Sequence, residues 1–219
     1  MAQTPFIKNS EKVVLEACVE SLSEAISAEK QGATRIELCG NLSLDGVTPD
    51  KSLTKRVLES VNIPIKVMIR PRGGDFIYSP KELSIMKKSI TYCRQIGIKE
   101  IVIGILKRSG DLDIAMIREL SQFAEPMSIT IHKAIDHANN PLDEIGKLKD
   151  IPNIKYILTS GKQSTAVGGS SLIKRMIEAS GENIKIIVAG KVTKENLSQV
   201  KSLTGASEFH GRKIVGHLS

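Results

Sequence analysis

The chain has 219 residues, 41% of them hydrophobic and 25% charged, with a formal net charge of +7. That length supports one substantial core, the balance excludes a disordered chain, and the longest apolar runs, such as "IVIGIL" (101–106), are too short to span a bilayer. Basic residues are spread along the chain and only 3% of residues are aromatic, so the charge reads as a solvated surface and no nucleic-acid or membrane partner is expected.

The first residues, "MAQTPFIKNSEK", lack a basic start followed by an apolar stretch, so no secretory signal is expected. Three cysteines without CxxC spacing then read as reduced thiols in a cytoplasmic protein. The run "KVVLEACV" (12–19) predicts a first strand, and Ser21 with Glu24 caps a helix that Gly32 ends. "TRIELCG" (34–40) is the second strand, and Thr48-Pro49 opens the next helix. "PIKVMIRP" (64–71) follows, then a helix from Ser79-Pro80 with Glu82 completing a capping box. "IVIGIL" (101–106), a helix near 113–124 and "SITIHKAID" (128–136) come next, with Asn140-Pro141 opening another helix. "KYILTSG" (155–161), a helix near 171–180, "KIIVAG" (185–190), a helix near 194–203 and "SEFHGR" (207–212) complete the series.

Eight strands alternating with helices predict a single α/β domain over 1–219, a (β/α)8 TIM barrel. An open doubly wound sheet would need a Gly-rich first turn, and "ESLSE" has no glycine. Only "KIVGHLS" follows the last strand, so the final helix is expected to be shortened or absent. Either the amino-terminal segment with Pro5, Phe6 and Ile7 crosses that gap, or a second subunit covers it. A homodimer or larger homo-oligomer is therefore expected.

Ligands of such barrels sit at the carboxyl ends of the strands, and period two sorts the side chains that point inward there. Glu16 and Cys18, Glu37 and Cys39, Met68 and Arg70, Thr130 and His132, and Glu208 and His210 share faces opposite apolar residues. Charges against the helical layer would be costly, so these polar sets are expected to converge inside the barrel. Arg70 and Arg72 then hang over the mouth, and Gly73-Gly74 lets Asp75 fold back over it. One reading is an enzyme on a small anionic metabolite, such as a sugar or phosphorylated compound. Glu16 or Glu37 is then the base, His132 the acid, and the arginines the clamp. Another is a soft-metal site, with Cu(I) held by Cys18 and Cys39 and assisted by Met68. A third is that the charges only neutralise one another in a polar interior. Cys93 continues the helical stripe Leu83, Met86, Ile90 and reads as core, while His137 and His217 read as peripheral.

The segments "ATRIELC", "VMIRPRGGDFIYS", "ITIHKAID", "ILTSG" and "EFH" together resemble the CutC family of copper homeostasis proteins, in order from about residue 13 to 212. The resemblance implies a cytoplasmic (β/α)8 barrel that forms dimers or larger assemblies and binds or handles copper. Carried over by position, it reaches Glu16, Cys18, Glu37, Cys39, Arg70, Arg72, Asp75, His132, Asp136 and His210. It places copper handling first and leaves the TIM-barrel enzyme as the alternative. "VAGKVTKENL" departs from the family's glycine-richer loop after strand seven and puts Lys191 there.

Overall fold

The computed structural model describes residues 13–218; Pro5, Phe6 and Ile7, with the expectation that they cross the gap, lie outside the described residues. The strands are β1 (Val14–Val19), β2 (Arg35–Leu38), β3 (Ile65–Met68), β4 (Glu100–Ile103), β5 (Ser128–Ile131), β6 (Ile154–Thr159), β7 (Lys185–Val188) and β8 (Glu208–Gly211). They pair in chain order, all parallel, and β8 closes on β1. The register sets Glu16 beside Arg35 on one side and His210 on the other. The helices are α1 (Leu22–Lys30), α2 (Lys51–Ser60), α3 (Pro80–Gln95), α4 (Ile114–Ala124), α5 (Ala134–His137), α6 (Pro141–Leu148), α7 (Ser170–Ser180) and α8 (Leu197–Thr204). No helix of the described residues is long and apolar enough to cross a membrane.

Local chemistry explains where the helices start. Ser79 accepts from the Glu82 N–H while the Glu82 carboxylate accepts from the Ser79 N–H at 2.7 Å, a full capping box at α3. Asn140 caps α6 by accepting from the Leu142 N–H at 3.2 Å. α2 starts later than the Thr48-Pro49 signal, with Asp50 as cap accepting from the Leu53 N–H at 2.8 Å. Thr48 is engaged elsewhere: its hydroxyl accepts from the Arg70 N–H at 2.8 Å and stitches this loop to the end of β3. The fifth run also differs. β5 stops at Ile131, and residues 134–137 turn into the short α5, because the His132 ring takes the Ala134 N–H at 3.0 Å.

Period two divides the barrel as the sequence predicts. Ile36, Val67, Ile69, Ile101, Ile103, Ile129, Ile131 and Phe209 join the helices in one core cluster outside the sheet. The alternate residues point inward, and at the amino-terminal half they form a charged layer. Arg35 holds Glu16 through Nε and Glu208 through Nη2, the latter at 2.6 Å. Lys66, with no exposure, donates to Thr130 Oγ1 at 2.9 Å and lies 3.3 Å from Glu16 Oε2 and 3.9 Å from Glu100 Oε2. Its Nζ also sits 3.6 Å from the Tyr156 ring centroid. Removing ions from water costs several kcal/mol each, so the layer persists only because each charge meets an opposite one.

Among the described residues no helix follows β8, as expected. The residues after β8 are nevertheless packed. Lys194 donates its N–H to the Lys213 carbonyl at 3.0 Å, and Ile214 and Val215 join the core at 1% and 5% exposure. The exposed large hydrophobics, Leu44, Ile77, Ile85, Val167 and Leu203, are scattered and none lies on β1 or β8. Among the described residues, then, no exposed large hydrophobic marks the β8–β1 edge from which a homo-oligomer is expected.

If the charged layer holds the barrel together, Lys66→Ala leaves Glu16 facing only part of its compensation. It should destabilise the protein by about 3–5 kcal/mol in urea unfolding. A loss below about 1 kcal/mol, the range of surface pairs, would contradict the packing described here.

Candidate functional site

Above the charged layer, at the carboxyl ends of the strands, a cavity of about 290 Å³ opens. Cys18 reaches it from β1, Glu37 from β2 and Cys39 just after it, Met68 from β3 and Arg70 just after it, His132 just after β5 and His210 from β8. A larger groove of about 660 Å³ lies at the opposite end of the barrel, where Lys149, Lys155 and Glu182 flank the starts of β6 and β7. It gathers no convergent set of chemical groups. The mouth does.

Glu37 stands between the two thiols: its Oε2 is 3.6 Å from Cys18 Sγ and 3.5 Å from Cys39 Sγ. All the ligating atoms of this trio lie within 4.8 Å of one another, and all three residues are buried. His210 bridges to the layer below, with Nδ1 at 2.9 Å from Glu16 Oε1 and Nε2 at 3.7 Å from Glu37 Oε2. Met68 and Val102 pack against the two cysteines.

The charge states follow from this stack. Burial alone would raise the Glu16 pKa, but Lys66, Arg35 and His210 outweigh it and hold the carboxyl well below its ordinary value. Burial would likewise lower His210, yet Glu37, Cys18 and Glu16 raise it well above the usual histidine range. The hydrogen bond with Cys39, aided by His210 and opposed by burial, brings Cys18 down to about 5. The same hydrogen bond and burial push Cys39 well above the ordinary thiol value. Burial pushes Glu37 up to about 8. At neutral pH the mouth therefore holds a Cys18 thiolate beside an imidazolium, with the protons on Cys39 and Glu37.

His132 is positioned differently. Its Nδ1 accepts the Ala134 N–H at 3.0 Å, so the ring proton sits on Nε2, which is buried without a partner. Burial, with Arg70 next, brings its pKa down to about 3, so the ring is neutral. Gly104 makes this placement: a Cβ there would stand 2.4 Å from the imidazole. Arg70 is a loop staple. Its Nη1 donates to the carbonyls of Leu44, Asp45 and Gly46 at 3.0, 3.1 and 3.1 Å, and its Nη2 to Gly74 at 2.8 Å. The guanidinium thus joins the β2–α2 and β3–α3 loops at the rim, under the Phe76 ring at 4.8 Å.

Four of the expected site residues do not line the cavity. Glu16 does not line the cavity; it is sealed beneath His210 in the charged layer. Arg72 and Asp75 do not reach it either, because Arg72 donates to Asp75 at 2.9 Å and to Glu82 at 2.5 Å, pinning the loop to α3. Asp136 is drawn away: its carboxylate accepts from the Ser160 N–H at 2.9 Å and the Lys162 N–H at 3.0 Å, fastening the loop after β6. His137 is exposed, as expected, and stands at the cavity mouth beside Phe76, with ring centroids 5.4 Å apart. Cys93 is core, 2% exposed, and burial pushes its thiol up to about 12. Sequence reasoning missed Arg35, Lys66 and Gly104. The first two were readable, because each sits two residues before an inward residue already identified, Glu37 and Met68.

The raised Glu37 pKa has a consequence for stability. Folding holds a proton that the unfolded chain releases between pH about 4.5 and about 8, so this contribution is present below 4.5 and lost as pH rises to 8. Cys18 acts in the opposite sense over its own range, so the readout is a difference. The stability of Glu37→Gln relative to the unsubstituted protein should rise from pH 5 to pH 8 in urea unfolding. A constant difference across that range would show that Glu37 is not held protonated.

Comparison with known proteins bears on what this arrangement serves. The profile of the CutC family matches residues 13–215. The human protein named copper homeostasis protein cutC homolog is 39% identical over 197 residues, covering 90% of this chain and 72% of the relative. A family protein CutC of Pasteurella multocida is 36% identical over 196 residues, covering 90% of this chain and 80% of the relative. The solved structure of the copper homeostasis protein CutC from Streptococcus agalactiae superposes with a TM-score of 0.87 at 30% identity, covering 92% of this chain and 99% of that one. A Mycoplasma synoviae N-acetylneuraminate lyase shares the fold alone, with a TM-score of 0.63 at 15% identity. A match along nearly the whole described chain, together with relatives of this similarity and coverage, shows that the chain belongs to the CutC family.

Proposed function

We propose that the protein takes part in copper homeostasis by binding Cu(I) at the barrel mouth through Cys18 and Cys39, with copper as cargo. The observation that carries this reading is the donor set itself. Two sulfurs and a carboxylate oxygen lie within 4.8 Å of one another, buried and backed by Met68. Twice the ~2.3 Å metal–sulfur distance of zinc thiolates is about the same span, so one ion fits between two thiolates with little movement. Soft thiolate and thioether ligands select Cu(I), and the hydrogen bond with Cys39, aided by the imidazolium of His210, keeps the Cys18 thiolate ready. The reducing cytoplasm suits this chemistry, since both thiols must stay reduced to bind.

The enzyme reading fares less well at its proposed base. Glu16 is enclosed beneath His210 with no exposure, and His132 keeps its proton on a neutral ring. Glu37 remains within reach of a ligand, but it stands against both thiols.

Titration of the anaerobic protein with Cu(I) against a chromogenic chelator tests the proposal. A Cys18→Ser, Cys39→Ser double variant should lose binding, because a hydroxyl oxygen is a poor soft-metal ligand. His210→Gln leaves both sulfurs in place and should weaken binding by about 10- to 100-fold, the usual effect of losing a partner that tunes a ligand. Undiminished affinity in the double variant would remove the site.

A further inference from the structure

The copper reading leaves half of the mouth unused. Three residues that line the cavity carry a buried polar atom with no hydrogen-bond partner among the described residues: Glu37 Oε1, Arg70 Nε and His132 Nε2. More than nine in ten buried polar groups in folded proteins are paired, and an orphan costs about 1–3 kcal/mol. Glu37 belongs to the thiol side. The other two lie on the β3 to β5 side, and both are donors. Arg70 Nε is always protonated, and His132 must carry its proton on Nε2 because Nδ1 accepts from Ala134. The two side chains are only 3% and 4% exposed.

Both donors are also fixed in place before any ligand arrives. Arg70 is anchored by four carbonyls of two loops, and His132 by the Ala134 N–H and the space Gly104 leaves. Lys133 adds positive charge at the rim, against Asp45 as its acidic side chain, while Arg212, also at the rim, is paired with Glu20 at 3.3 Å. At about 30 Å³ for each water, a 290 Å³ cavity is far larger than one bridging water needs.

We propose that this side of the mouth is an oxyanion subsite, in which His132 Nε2–H and Arg70 Nε–H donate to the carboxylate or phosphate of a small molecule. It differs from the clamp expected from sequence, because Arg72 takes no part and Arg70 uses Nε instead of its forked end. It also stands independently of copper, which the thiol side would hold.

The test uses copper-free protein labelled with ¹⁵N-histidine, with orthophosphate and glycolate as separate probes. One probe should bind saturably, one per chain by calorimetry, and should shift the His132 Nε2–H resonance as it does so. Saturation by orthophosphate alone identifies a phosphate subsite, and saturation by glycolate alone a carboxylate subsite. His132→Leu should weaken that binding about ten- to a hundredfold, the range for one hydrogen bond to a charged group, and His132→Gln, which keeps an N–H donor, should retain more of it. Absence of saturable binding for both probes, or saturation that leaves the His132 resonance unmoved, would overturn the proposal. So would equal affinity in His132→Leu. Where that variant does not fold, the resonance of the unsubstituted protein decides.

Discussion

Glu16 has no exposed surface, and it is charged at the centre of the barrel only because Arg35 and Lys66 face it. The upper half of the protein depends on that one stabilised carboxylate. Glu16 turns Nδ1 of His210 toward itself, which leaves Nε2 directed to Glu37 and the thiols. Glu37, Cys18 and Glu16 together hold the histidine protonated, and its positive charge is among the influences that keep Cys18 ionised beside a Cys39 that is not. A barrel filled with aliphatic side chains would be easier to stabilise. This one spends stability on a charged core and gains an oriented histidine at the mouth.

The rim follows the same economy of polar groups. Thr48 gives up a helix cap to accept the Arg70 N–H, and Arg70 then gathers carbonyls from two loops. Arg72, Asp75 and Glu82 secure the outside of the same turn. Asp136 performs the corresponding service for the loop after β6. These residues look like chemistry in a sequence, because charged groups clustered at strand ends are what a site requires. Most of them instead satisfy backbone groups, so that the few side chains facing the cavity stay where they are.

The barrel was legible because strand and helix signals alternate without interruption, and period two alone sorts Val67 and Ile69 from Met68 and Arg70. Cys18, Glu37, Cys39, His132 and His210 were placed correctly at one end by the same parity. Parity gives a face but no depth, so it could not separate Glu16, one layer down, from Cys18 above it. Nor could it foresee that Arg72 would find Glu82, ten residues on, before it found a ligand. Gly104 was illegible for a further reason. Its role is the space it leaves for a ring on the neighbouring strand, and only the β4–β5 pairing reveals that.

On the proposed reading, the buried thiols of Cys18 on β1 and Cys39 just after β2, set by the charged core beneath them, are where copper binds. X-ray absorption at the copper edge of the Cu(I)-loaded protein tests this most directly, because it reads the atoms bonded to the metal. Sulfur from Cys18 and Cys39 is expected as the nearest neighbours of the copper. Nitrogen and oxygen neighbours alone, unchanged in Cys18→Ser, Cys39→Ser protein, would contradict it.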